Sequence, residues 1–416
     1  MLLVMILFTI SSPVIVSGGP EIDYQPSPVQ DTDGRLVVAF ERLTSPSQGF
    51  IGDIWITFSA DTGSTWAAPI PVVTSSSNLR HPSLVRVPSG GYRVFYLSDQ
   101  IGTYKIFSVF SPDGVSWNEE GEVDLGWSST VSIGNPTVSP EGDSALVLSY
   151  DRFFGLGGYV ARSTDGGETW DTQLRRINVK GRLNRIIKHS DGTYLCSWQE
   201  TGGGTIVNIF ASYSTDLINW AASDSLTTND NGHDSMPFVD ASGLAWIFYA
   251  KHSGSVYEVM RRGIPSWGSY GNEDLIYSGT HNATQPHPLL LSDGRIALFW
   301  GDWWASYNES DVMMEILDLT GINDDTPEER ELQLHLWPCP FTSSLNIQVA
   351  MLETGEASLY VFDTSGRMVE NIFSGMTASG TGNFTWTPDE NLPIGVYQVR
   401  LISDRKVVSG SCLLMR

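Results

Sequence analysis

The side chains able to do chemistry fall at repeated places in this sequence. Six apolar, aromatic-rich runs each follow a tight turn and end in a polar group: DGRLVVAFER from Asp33, GGYRVFYLSD from Gly90, GDSALVLSYDR from Gly142, DGTYLCSWQE from Asp191, SGLAWIFYAKH from Ser242 and DGRIALFWGD from Asp293. Their ends supply Glu41, Arg42, Asp99, Asp151, Arg152, Glu200, Lys251, His252 and Asp302. A second set, Gln25, Arg80, His81, Asn135, Arg182, Arg185, His233, Asp234 and His287, opens the shorter runs that precede those turns. Guanidiniums gathered together grip a carboxylate through paired hydrogen bonds. Two carboxylates across a mouth, for example Asp99 or Asp151 with Glu200, suit hydrolysis of a neutral glycoside. Trp303 and Trp304, beside Tyr307, suit stacking on a pyranose face or packing between sheets. His81, His233, His252 and His287 belong to these sets, but no tight His/carboxylate spacing selects a metal site, and no metal or cofactor is expected.

Both sets can meet only if antiparallel strands bring their ends to one face. A second periodic feature supports that arrangement: SADTGSTW at Ser59, SPDGVSW at Ser111, STDGGETW at Ser163 and STDLINW at Ser214. Their aspartates, Asp61, Asp113, Asp165 and Asp216, are spaced by 52, 52 and 51 residues. Each unit then holds four short strands, and six such units arranged radially make a six-bladed β-propeller. In the polar turns an Asp accepts backbone N–H groups, Gly takes the positive φ, and the closing indole wedges into apolar surface. These four aspartates are therefore structural. The turns occupy one face, so both chemical sets fall on the other, as a polar ring around an axial mouth suited to a sugar.

The pattern Ser-x-Asp-x-Gly-x-Thr-Trp, complete at Ser59 and Ser163, resembles the Asp-box of bacterial neuraminidase (BNR) repeats. Six such units over residues 21–320 resemble a sialidase-like propeller. That resemblance implies three arginines clamping a substrate carboxylate, an aspartate acid/base, and a tyrosine nucleophile assisted by a glutamate. In DYQPSP, Gln25 stands where the family has its first arginine, whereas LRHPSLV carries Arg80-His81-Pro82 in the second unit. The implied site is thus shifted by one blade. With that shift the resemblance implies that Arg80 would clamp with Arg152 and Arg182 or Arg185, that Asp99 would be the acid/base, and that Glu200 would polarise a tyrosine such as Tyr307. His233, Asp234, His287 and Trp303 complete the substrate-binding set. An exported glycan-directed exo-glycosidase and a non-catalytic propeller that binds polysaccharide or protein both fit this sequence.

The two ends of the chain add an address. MLLVMILFTISSPVIVSGG has the apolar run and small residues of a signal peptide over 1–19, although no Lys or Arg precedes the run; a buried first strand or a membrane anchor is the competing reading. Residues 20–322 form the propeller, 323–333 a charged linker, and 334–416 a small immunoglobulin-like sandwich. Pro338-x-Pro340-Phe341, VFDTSGRMV and Gly395-Val396-Tyr397 resemble the C-terminal sorting domain of the type IX secretion pathway, with Cys339 at a usual Asn position. The resemblance implies a bacterial protein, secreted or attached to the cell surface, whose partners are a glycan and the secretion machinery. Cys339 and Cys412 are candidates for pairing, while Cys196 alternates like a buried strand residue. No span remains once the leader is removed. A net charge of -23 argues against nucleic acid.

Overall fold

The computed structural model describes residues 13–44, 51–87, 90–142, 144–153, 157–201, 207–228, 232–303, 309–317, 333–337, 340–351, 355–364, 367–377, 380–389, 391–403 and 406–415. The chain divides into two compact units, Met1–Gly321 and Ile322–Arg416. The first unit is built from six antiparallel blades. Their innermost strands are Ile22–Gln30, Leu79–Arg86, Ile133–Pro140, Arg182–Lys188, Gly232–Val239 and Asn282–Leu290. The second strands, Leu36–Leu43, Tyr92–Ser98, Leu146–Arg152, Tyr194–Thr201, Ala245–Ser253 and Ile296–Trp303, are the apolar runs of the repeat. Their central residues are buried because each strand is covered on both faces by neighbouring blades, which removes the polar alternation of a half-exposed strand. Val37, Ile54, Leu84 and Val94, for example, form the seam between blades 1 and 2.

Antiparallel pairing puts the start of each inner strand beside the end of its second strand, as Leu79↔Ser98 and Ile133↔Arg152 show. The two chemical sets therefore share one face. The polar turns lie at the opposite ends of the strands. In the first, the Ser59 hydroxyl donates to Asp61 (2.8 Å) and accepts from Gly63 N (2.8 Å). Asp61 accepts from Thr65 N (2.8 Å) and Thr65 Oγ1 (2.6 Å), and the Trp66 indole donates to Gly63 O (3.1 Å). Asp113, Asp165 and Asp216 repeat this role with Val115, Thr169 and Asn219. These hydrogen bonds hold the Asp61 and Asp113 carboxyls at about 2, and they do the same for Asp165 against the opposing effect of burial.

The ring closes in two ways. Ile22 pairs in parallel with Ser310, joining blade 1 to blade 6. Val14–Ile15, inside the segment read as a leader, pairs with Met313–Met314 and serves as the fourth strand of blade 6. Val16 behind it is 2% exposed, and Ser17 Oγ accepts from Val312 N (3.0 Å). Among the described residues, no helix is long and apolar enough to cross a membrane.

The second unit is a sandwich of a three-stranded sheet (Gln333–Trp337, Leu345–Met351, Gly380–Trp386) and a four-stranded one (Met368–Thr377, Gly355–Asp363, Gly395–Ser403, Lys406–Leu414). Phe341 and Tyr397, from the segments singled out in the sequence, sit in its core beside Trp386. Pro338 and Cys339 lie outside the described residues.

Candidate functional site

All six inner strands share a backbone irregularity that surrounds the axis. Gln25, His81, Asn135, Leu183, Asp234 and Gln285 have φ between 51° and 55°. Directly after each, the pairing register shifts. A non-glycine residue in this left-handed region costs about 1 kcal/mol, so six at equivalent positions require compensation. Pro follows four of them, Gln25, His81, Asn135 and Gln285, and having no N–H it cannot continue the ladder.

Side chains from the preceding blade's second strand receive three of the displaced N–H groups. Glu41 accepts from His81 N (2.9 Å), Asp151 from Leu183 N (2.6 Å), and Gln199 from Asp234 N (2.9 Å). Glu41 also takes a two-point ion pair from Arg80, with both contacts at 2.9 Å. Burial alone raises its carboxyl, but Arg80 and His81 more than offset this and bring it below the usual range. Asp151 receives Asn135 and Asn184 amides as well as backbone donors, yet burial dominates and raises it.

Inside this ring lies an axial well. Its mouth, a cavity of about 280 Å³, is lined by Gln25, Asn78, Arg80, His81, Leu97, Tyr104, Asn135, Phe153, Arg182, Leu183 and Gln285. Below, five of the same residues continue into a narrower channel that Arg185 and His287 also line. Burial keeps the imidazoles neutral, pushing His81 down to about 4 and His287 to about 3. His287 Nδ1 donates to Pro26 O (3.0 Å), and Arg185 Nη1 donates to the carbonyls of Asp234 (3.2 Å) and Ser235 (3.0 Å). Burial raises the Asp234 carboxyl, with Arg185 and His233 opposing.

The residues singled out in the sequence are only partly gathered here. Arg80, Arg182 and His287 line the well, and Asp234 belongs to its left-handed ring. Asp99 instead accepts from Asn78 N (2.9 Å), and Glu200 accepts the Trp198 indole (2.9 Å). Arg152 stacks over Trp127, His233 packs on Tyr257, and Trp303 packs edge-on against Tyr24 at the seam of blades 6 and 1. Arg42 pairs with Asp23. Tyr307 and Trp304 lie outside the described residues. Among the described residues, no group of three or more His, Cys, Asp or Glu is arranged to hold a metal ion. The sequence reading missed Gln285, Tyr104 and Phe153 as lining residues, and Gln199 as a support. For Gln285 the X-Pro dipeptide inside a strand was the available signal.

No family model and no curated protein matches the chain. Solved structures do. A protein of unknown function from Dyadobacter fermentans aligns over 73% of this chain and 97% of its own, with a TM-score of 0.61 and 13% identity. The fold is that of a sialidase-like six-bladed propeller. The NanB sialidase of Streptococcus pneumoniae, as its K499G mutant, aligns over 74% of this chain and 70% of its own (TM-score 0.59, 11% identity). A Penicillium chrysogenum α-L-arabinanase complexed with arabinobiose aligns over 75% and 99% (TM-score 0.58, 15% identity). At these identities the propeller of this chain shares their architecture, and its own well must supply the functional argument.

Proposed function

We propose that the chain is a glycan-directed propeller that receives the end of a carbohydrate in its axial well. One observation carries this reading: the well combines amide, imidazole, phenol and guanidinium groups with apolar Leu97 and Phe153. That mixture matches a sugar, whose hydroxyls need hydrogen bonds and whose C–H faces need apolar contact. The glycoside hydrolases among its structural neighbours, one of them holding arabinobiose, agree with it. Recognition is favoured over sialidase chemistry because three of the residues assigned to that chemistry are each held by other partners, Tyr307 lying outside the described residues. Arg80 is forked onto Glu41, while Asp99 and Glu200 are bonded elsewhere.

A hydrolytic second reading is supported by Asp234, a ring carboxyl raised by burial and so suited to donating a proton. In the same proposal the protein acts outside the cell, exported through its apolar leader and held there by its C-terminal sandwich. The deciding experiment incubates the full chain with a panel of aryl glycosides, including an α-L-arabinofuranoside and a sialoside, and records ligand-observed NMR with the corresponding free sugars. Binding without turnover supports recognition. Turnover abolished by Asp234→Asn supports the hydrolase, and neither binding nor turnover removes the glycan reading.

A further inference from the structure

We infer that the axial well selects a neutral, hydroxyl-rich sugar terminus, with Gln25 and Gln285 as its specificity-determining residues; this rests on the glycan-directed reading above. Both residues line the mouth and the channel, and they are only 7% and 6% exposed. Each carries a carboxamide oxygen with no hydrogen-bond partner. A buried acceptor left unpaired is costly, and a ligand that donates to it recovers that cost. A sugar hydroxyl donates as well as accepts, so it can serve either end of an amide. A carboxylate only accepts, and it repels an amide oxygen.

The charges around the well agree. Arg80 is committed to Glu41 through two hydrogen bonds. Arg185 gives Nη1 to two backbone carbonyls and lies in the field of the Asp234 carboxyl. Arg182 is left exposed at the mouth, which is one guanidinium rather than a clamp. The walls also differ in apolar content. Blades 1 and 6 bring the two glutamine amides, whereas blades 2 and 3 add Leu97, Tyr104 and Phe153 to Asn78 and Asn135, with Tyr104 and Phe153 in ring contact at 5.3 Å. An amphipathic sugar ring fits between them, with hydroxyls toward the amides and a C–H face toward the aromatic pair.

The test titrates the full chain by calorimetry with arabinobiose and lactose as neutral probes, and with sialyllactose and digalacturonate as acidic ones. A neutral probe is expected to bind at least about tenfold more tightly than either acidic one. Gln25→Met and Gln285→Met, which keep the side-chain volume and remove the amide, are each expected to weaken it about fivefold. Gln25→Arg is expected to shift preference toward the acidic probes. Gln25→Asn and Gln285→Asn, which stay polar but shorten the reach, repeat the measurement if a Met variant does not fold. Tighter binding of an acidic probe, or neutral binding untouched by substitution at both positions, overturns the inference and leaves the glycan reading intact. No binding of either class by the folded chain overturns that reading, and the inference with it.

Discussion

Glu41 concentrates the electrostatics of the mouth in one side chain. It is fully buried, forks onto Arg80 and accepts the displaced His81 N–H. Replacing one partner of a buried pair leaves the other uncompensated, so Glu41→Gln is expected to cost about 3 kcal/mol in denaturant unfolding, whereas Asp99→Asn is expected to cost under about 1 kcal/mol. Two further residue types make stability depend on pH with opposite signs. The folded pKa values of His81 and His287 are depressed to about 4 and about 3, so their contribution is complete above pH 6.5 and is lost as pH falls toward 4. Glu315, 8% exposed on the third strand of blade 6, is pushed up to about 7 by burial. Its charged form destabilises the fold above that pH, and this penalty disappears as pH falls through 7 toward 4.5. Glu315→Gln should therefore raise the melting temperature at pH 8, by at most about 3 kcal/mol in stability, and change little near pH 4. In that variant, stability should fall steadily from pH 6.5 to 4. No rise at pH 8 would mean that Glu315 is not buried in its charged form. None of this was visible in the sequence, where Glu41 is one strand-end charge among nine and Glu315 an ordinary strand glutamate, because burial depends on which blade covers which.

At the level of elements, the polar turns and the axial bulges divide stability from recognition. Asp165 holds its turn together through Ser163 and Thr169, on the face away from the well. Asp165→Ala is thus expected to cost about 1–2 kcal/mol in thermal unfolding with no change in sugar affinity, and a loss of affinity would contradict the separation of the two faces. The turns were legible because Ser, Asp, Gly and Trp each have a local reason to be there. Second strands were legible too, since apolar runs between turn signals report complete burial. The bulges were harder to read. Gln25-Pro26, His81-Pro82, Asn135-Pro136 and Gln285-Pro286 mark four of them, but Leu183 and Asp234 take the same left-handed backbone with no proline after them. There the displaced N–H groups are received by Asp151 and Gln199 on the neighbouring blade. Those acceptors lie 32 and 35 residues away in sequence, beyond the reach of any local signal.

Across the whole first unit, closure of the ring decides where the working protein must begin. Composition assigns residues 1–19 to a leader, yet Val14–Ile15 completes blade 6, Val16 is buried, and Ser17 accepts from Val312 N. An apolar, β-branched segment is ambiguous between the two roles, because export signals and buried strands ask for the same side chains. The energetics separate them. Removing Val16 forfeits about 2 kcal/mol of apolar burial, and the lost hydrogen bonds add about 1 kcal/mol each, so a chain starting at residue 20 should be less stable than one starting at residue 13 by about 3–4 kcal/mol. The removal also uncovers the outer edge of Ser310–Leu317, the third strand of blade 6, and unpaired edges recruit other chains. Thermal melts and light scattering of the two truncated chains provide the check. A lower melting temperature and concentration-dependent association in the shorter chain would place Val14–Ser17 within the mature fold and put any processing upstream of Pro13. Equal stability would mean that the parallel Ile22↔Ser310 pairing alone closes the ring, leaving residues 14–17 available to be cut away with the leader.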